Sequence, residues 1–79
     1  MINVRDEVSS LIIKIVNDAG EPLETKEIQE KVQKTSKNAT RTIVLYRLNI
    51  LRGEQKILGK FVGPGKGVWI WWQIKAFNK

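Results

Sequence analysis

The sequence predicts an α+β domain in which three helices are followed by a C-terminal β-hairpin. Apolar residues recur at helical spacing through most of the first 52 positions, whereas β-branched and aromatic residues dominate the later segments QKILGKFVG and VWIWWQI. The glycine-rich turn PGKG separates those two segments. Because a chain of 79 residues is long enough for one domain only, we assign residues 1–79 to a single unit.

The first helix is predicted to begin at Val4. Apolar residues then fall at positions 4, 8, 11, 12, 15, 16 and 19, which is helical spacing held for four turns. Asn3 is a suitable N-cap, and Gly20 can adopt the left-handed conformation that ends a helix.

The second helix is predicted to be short and to follow a break at Pro22. Leu23 then belongs to a short strand or an extended connection. Thr25 is the expected cap of this helix, and Ile28 and Val32 lie four residues apart on one of its faces.

The third helix is predicted to run from about Lys37 to Arg52, with Ser36 or Thr35 as its cap. Its apolar residues form two adjacent clusters and so define a wide apolar face: Ala39, Ile43, Tyr46 and Ile50 in one, Val44, Leu48 and Leu51 in the other. The opposite side is polar and is the candidate reading surface, comprising Asn38, Arg41, Thr42, Asn49 and Arg52.

The hairpin contains all three tryptophans. Strict alternation directs Val68, Ile70, Trp72 and Ile74 to the core and leaves Trp69 and Trp71 on a second aromatic face. Two exposed indole rings are costly unless a helix, a second subunit or a ligand covers them. Stacking on unpaired bases is the functional alternative to packing.

Composition argues against an enzyme. The chain has no histidine and no cysteine, which excludes most nucleophile–base pairs and thiolate or imidazole metal sites. We therefore expect no catalytic residues, no metal site, no cofactor and no small-molecule substrate. The longest apolar run is only LII, and the N-terminus has no signal-peptide pattern, so we expect a soluble cytoplasmic protein without a membrane partner.

The charge distribution is strongly polarised. Residues 1–30 carry three basic and seven acidic side chains (3 − 7 = −4), whereas residues 31–79 carry eleven basic and one acidic (11 − 1 = +10). A surplus of this size attracts polyanions, of which nucleic acid is the commonest in a cell.

With this order of elements, residues 4 to 76 resemble the winged helix-turn-helix family of DNA-binding domains, found in small archaeal, bacterial and viral transcription regulators. The resemblance rests on three segments: ETKEIQEKVQ as the positioning helix, KTSKNATRTIVLYRLNILR as turn and recognition helix, and KILGKFVGPGKGVWIWWQI as the wing. Many family members have a glycine just before the first wing strand, where this chain has Gln55, and Gly53 is the nearest substitute.

The resemblance implies binding of double-stranded DNA, with the third helix in the major groove and the hairpin tip on the backbone or minor groove. Asn38 and Arg41 are then the candidates for base contacts. Groups suited to phosphate contacts are carried by Ser36, Lys37, Thr40 and Thr42. Lys34, Lys60 and Lys66 would add non-specific attraction.

Other interpretations remain open. The surplus apolar surface favours a homodimer with two recognition helices. A winged helix can also serve as a protein-docking module in a larger assembly, and aromatic residues beside basic ones also occur in single-strand binders.

Overall fold

A computed structural model of the chain describes residues 4–65 and 67–74. Within these ranges the element order is α1 (Val4–Asp18), β1 (Leu23–Glu24), α2 (Thr25–Gln33), α3 (Arg41–Gly53), β2 (Ile57–Val62) and β3 (Val68–Gln73). The α+β class with three helices is therefore confirmed.

The strands form one antiparallel sheet in the order β1-β3-β2. The predicted hairpin is thus part of a three-stranded sheet, because β1 pairs with β3 from between the first two helices. Leu23 pairs with Trp71 and Gly59 also pairs with Trp71, so β3 is the central strand and Trp71 has a neighbour on each side.

The core lies between the sheet and the three helices. α1 packs against α2, α3 and β3, and α3 packs against β2. The predicted stripe of α1 supplies Val8, Ile12 and Val16 to this core, and α2 supplies Ile28 and Val32. Each of these five side chains is at most 1% exposed, which is the burial expected of a single hydrophobic core.

The prediction of which tryptophan is buried was wrong. Trp71 is 0% exposed, whereas Val68 is 44% exposed, and Trp69 packs against the core beside Trp71. Alternation divided the residues of β3 correctly into two sets, one for each face of the sheet. Because both sets are apolar, the prediction put the wrong set in the core. Gly59 decides the outcome, because any Cβ there would lie 2.6 Å from Cζ3 of Trp71, and only glycine leaves room for the indole.

Helix boundaries differ from the prediction at three caps. α2 is capped by Glu24, and its first residue, Thr25, is buried. α3 begins at Arg41 with Thr40 as N-cap, four residues later than predicted. Gly20 does not have a positive φ, and the cap position given to Asn3 lies outside the described residues.

After α3 the chain contains a residue with a left-handed backbone conformation, and that residue is not glycine. Gln55 has a φ of 62°, and Gly53 is the last helical residue and has no positive φ. The amide of Lys56 donates to the carbonyl oxygen of Leu51 at 2.9 Å, which is the six-residue closure of a Schellman motif. Gly53 therefore does not replace the expected glycine, and Gln55 takes that conformation itself.

Candidate nucleic-acid interface

The exposed side of α3 is polar and continuous. Its exposed side chains lie within an arc of about 140° at 3.6 residues per turn, and they are Arg41, Thr42, Tyr46, Asn49 and Arg52. Half-buried Leu45 lies within that arc, and Val44, Leu48 and Leu51, which lie outside it, are buried in the core. The predicted polar side of the third helix is thus exposed, and Asn38, which is also exposed, lies before the first residue of the helix.

Tyr46 is a surface residue that the sequence reasoning missed. It is 61% exposed, although periodicity placed it in an apolar cluster with the buried Ala39. The guanidinium carbon of Arg47 lies 5.8 Å from the Tyr46 ring centroid, within the range of a cation–π contact. The hydroxyl of a tyrosine at the edge of a wide apolar face favours water or a polar ligand. This preference is the feature of the sequence that could have identified Tyr46 as exposed.

The turn between α2 and α3 is fixed by hydrogen bonds. The Gln33 side-chain amide donates to the carbonyl oxygen of Ala39 at 2.8 Å, and the Ser36 amide donates to the carbonyl oxygen of Val32 at 2.8 Å. Ala39 is fully buried and anchors the start of α3. Lys37 and Asn38 are exposed in this turn, so they lie beside the helix N-terminus and not along its polar side.

Thr40 has a structural role in addition to the contact predicted for it. Its Oγ1 accepts a hydrogen bond from the Ile43 amide at 3.2 Å, which caps α3. A hydroxyl that accepts one bond still has its own proton to donate, so the same group can serve as N-cap and as a donor to a phosphate oxygen.

The C-terminal half of the exposed side is held by local contacts. Asn49 Nδ2 donates to the carbonyl oxygen of Leu45 at 3.0 Å. The Arg52 guanidinium carbon lies 5.1 Å from the ring centroid of Trp69. Arg52 therefore joins the end of α3 to the sheet while remaining exposed.

The aromatic residues of the hairpin form a packed cluster. Trp69 stacks on Trp71 with centroids 5.2 Å apart and 19° between planes, and Phe61 meets the Trp69 ring edge-on at 6.0 Å. Phe61 is 50% exposed. Trp71 is fully buried, and Trp69 contacts two rings and the Arg52 guanidinium, so the pair is used for packing. Phe61 is the most exposed ring of the cluster.

The three lysines assigned to non-specific attraction lie in different places. Lys34 is exposed at the C-cap of α2. Lys60 pairs with Ile70 in the β2–β3 ladder, on the sheet face opposite the buried Ile57 and Trp71, so it does not share a surface with α3. Lys66 lies outside the described residues.

The electrostatic character of α3 is uniformly positive. Its sequence, RTIVLYRLNILRG, contains three arginines and no acidic residue. Arg47 is the partly buried arginine of the three and donates from Nε to Ser9 Oγ on α1 at 3.0 Å. Arg41 and Arg52 remain on the exposed side, one at each end of the helix.

Comparison with protein-family models, with curated proteins and with solved structures gave no match to this chain. Over residues 4–65 and 67–74, no helix is both long and apolar enough to span a membrane. The same residues contain no group of three or more acidic side chains arranged to hold a metal ion.

Proposed function

We propose that the protein is a winged helix-turn-helix DNA-binding protein, and specifically a cytoplasmic transcription regulator, that binds duplex DNA through the exposed side of α3. The observation that carries the proposal is that this exposed side presents Arg41, Thr42, Asn49 and Arg52 on a helix without acidic residues. Arginine and asparagine are the side chains that pair bidentately with guanine and adenine in the major groove.

The arrangement of α2 and α3 supports the same proposal. A fixed turn joins the two helices, and buried Ala39 anchors the start of α3 while Arg41 and Thr42 stay exposed in its first turn. In this docking mode the first turns of the recognition helix lie closest to the bases. Arg41 is therefore the principal candidate for base reading.

The remaining polar groups near the helix start suit the phosphate backbone. Lys37, Asn38 and Thr40 are exposed beside the N-terminus of α3. Lysine, threonine and asparagine side chains at such an end position a protein on the duplex without reading its sequence. Arg52, held over Trp69, is the candidate for a phosphate contact at the other end of the helix.

Duplex affinity measured by fluorescence anisotropy across a salt series tests the proposal. Phosphate contacts predict that the logarithm of the association constant falls linearly with the logarithm of salt concentration, with a slope near −0.9 per contact. Negligible affinity at low salt would contradict DNA binding and favour the protein-docking interpretation. Tighter binding to a single strand than to the duplex would favour the single-strand interpretation.

A further inference from the structure

The sheet has a second face, turned away from the helices, that is largely apolar. Cross-strand partners share a face, so the register assigns three rows to this outer face: Val62 with Val68, Lys60 with Ile70 and Glu24, and Leu58 with Trp72. Val62 and Val68 are 43% and 44% exposed. We call this surface the outer sheet face.

A cleft adjoins the outer sheet face. It has a volume of about 240 Å³ and lies where the connection from α1 to β1 passes Ile70 and Trp72. Its other lining residues include Ala19 and Pro22. Apolar surface therefore extends from the strands across this edge, and a continuous apolar area of this kind is typical of an interaction site.

The middle row carries the only charges of the three rows, and their order is informative. Lys60 on β2, Ile70 on β3 and Glu24 on β1 are directly paired across the sheet, so a cation and an anion flank a central isoleucine, each about 4.8 Å from it. Both charged side chains are exposed. When a second copy of this row is turned by 180° so that its two ends exchange, each lysine faces a glutamate and the two isoleucines face each other.

We propose that the outer sheet face binds a second copy of this chain around a two-fold axis that runs parallel to β3. This rotation exchanges the two edges of the sheet, so Lys60 of each copy faces Glu24 of the other and Ile70 faces Ile70. Sheets that pack face to face lie about 10 Å apart, a gap that opposed lysine and glutamate side chains can bridge. A two-fold axis perpendicular to the strands would instead oppose like charges.

The same two-fold axis also suits DNA binding by a dimer, a point that rests on the proposed function. Rotation about the strand direction leaves both hairpin turns at one end of the dimer, where a single duplex can reach them. If the sheets are about 10 Å apart and each helical layer lies about 10 Å outside its sheet, the helical layers of the two copies, which include the α3 helices, would be roughly 30 Å apart. Half-sites one helical turn apart need about 34 Å.

Charge exchange tests the interface without DNA. Sedimentation velocity over a concentration series should show a wild-type dimer, and Lys60→Glu and Glu24→Lys should each raise the dissociation constant roughly tenfold by opposing like charges. An equimolar mixture of the two variants should recover the wild-type constant, as should the double variant. The single variants have net charges of 6 − 2 = +4 and 6 + 2 = +8, so general attraction between oppositely charged proteins does not explain recovery.

Two controls keep the result interpretable. Lys14→Glu makes the same charge change on α1, where Lys14 pairs with Asp18 at 3.0 Å, and should leave the dissociation constant unchanged. Glu24 also caps α2, so melting curves must show that Glu24→Lys is folded at the working temperature. If it is not, Ile70→Asp, which brings two carboxylates together at the axis, should abolish the dimer.

A monomeric wild type at all concentrations, or a dimer that neither charge variant weakens, would overturn the interface. Dimerisation of a chain ending at Ile74 but not of the full chain would also overturn it, because residues 75–79 would then be the occupant. Duplex affinity is measured separately. A monomer that binds duplex overturns only the interface, and a charge-rescued dimer without duplex affinity overturns only the DNA-binding proposal.

Discussion

The indole Nε1 of Trp71 donates a buried hydrogen bond to Oγ1 of Thr25 at 2.9 Å. This bond connects the central strand to the first turn of α2, and both side chains lie in the core. It satisfies the polar atom of the largest buried side chain and so makes full burial of an indole tolerable.

Thr25→Val should destabilise the protein by about 1–3 kcal/mol, because it leaves the Trp71 N–H buried without its acceptor at nearly unchanged volume. Urea denaturation measures the change as a shift in midpoint at constant slope. Thr25→Ser keeps the hydroxyl and is the matched control, with an expected loss of no more than about 1 kcal/mol. Equal losses for valine and serine would show that the bond contributes nothing.

Gly59→Ala should destabilise the protein by about 1–3 kcal/mol, because the added Cβ would overlap the Trp71 ring. The thermal midpoint measures this effect. Gly20→Ala is the control, since a Cβ there meets nothing within 4 Å and Gly20 has no positive φ. A Gly59→Ala protein as stable as wild type would contradict the packing of Trp71 against β2.

Gln55→Gly should stabilise the protein by about 1 kcal/mol, because Gln55 holds a φ of 62° that costs an L-residue roughly that amount. For a domain of this size the thermal midpoint should rise by about 4–8 °C. Gln55→Ala keeps the strained backbone and should change the midpoint little. A lower midpoint for the glycine variant would mean that the left-handed conformation is not strained.

The sequence predicted the class and the location of most elements, but not which face of β3 is buried. VWIWWQ is apolar on both faces, so only the pairing of Trp71 with Leu23 and Gly59 distinguishes them. The start of α3 was misplaced because several residues before it could act as caps, and the choice of Thr40 follows from the burial of Ala39.

The candidate site was predictable along the exposed side of α3 and not beyond it. Helical periodicity alone identified Arg41, Thr42, Asn49 and Arg52, which are all exposed. Lys60 could not be placed, because its face depends on the β2–β3 register. Tyr46 was missed because hydrophobicity scales count its ring and not its exposed position.

Arg41→Ala should weaken binding to a preferred duplex by about 1–3 kcal/mol and relax discrimination at one base pair, because it removes a bidentate base contact. Competition anisotropy against single-base variants of the duplex measures both effects. Lys14→Ala removes the same charge from α1 and is the control, with only a small, sequence-independent effect expected. Equal losses of binding free energy on preferred and random duplex would show that Arg41 does not contact bases.

Lys66→Ala should weaken binding to all duplex sequences alike, since the resemblance to winged helices implies that a lysine between the two wing strands in the sequence contacts phosphates and not bases. The slope of the logarithm of the association constant against the logarithm of salt concentration should decrease in magnitude by about 0.9, which is the contribution of one phosphate contact. Measuring the slope on preferred and random duplex checks this. An effect confined to the preferred sequence would contradict a backbone contact.

The most direct test of the central claim is an NMR titration of the isotope-labelled protein with duplex DNA. DNA binding through α3 predicts that the largest amide shift changes fall on Arg41, Thr42, Asn49 and Arg52, with small changes along the buried stripe of α1. Changes confined to the outer sheet face around Leu58 and Ile70, with α3 unaffected, would contradict it.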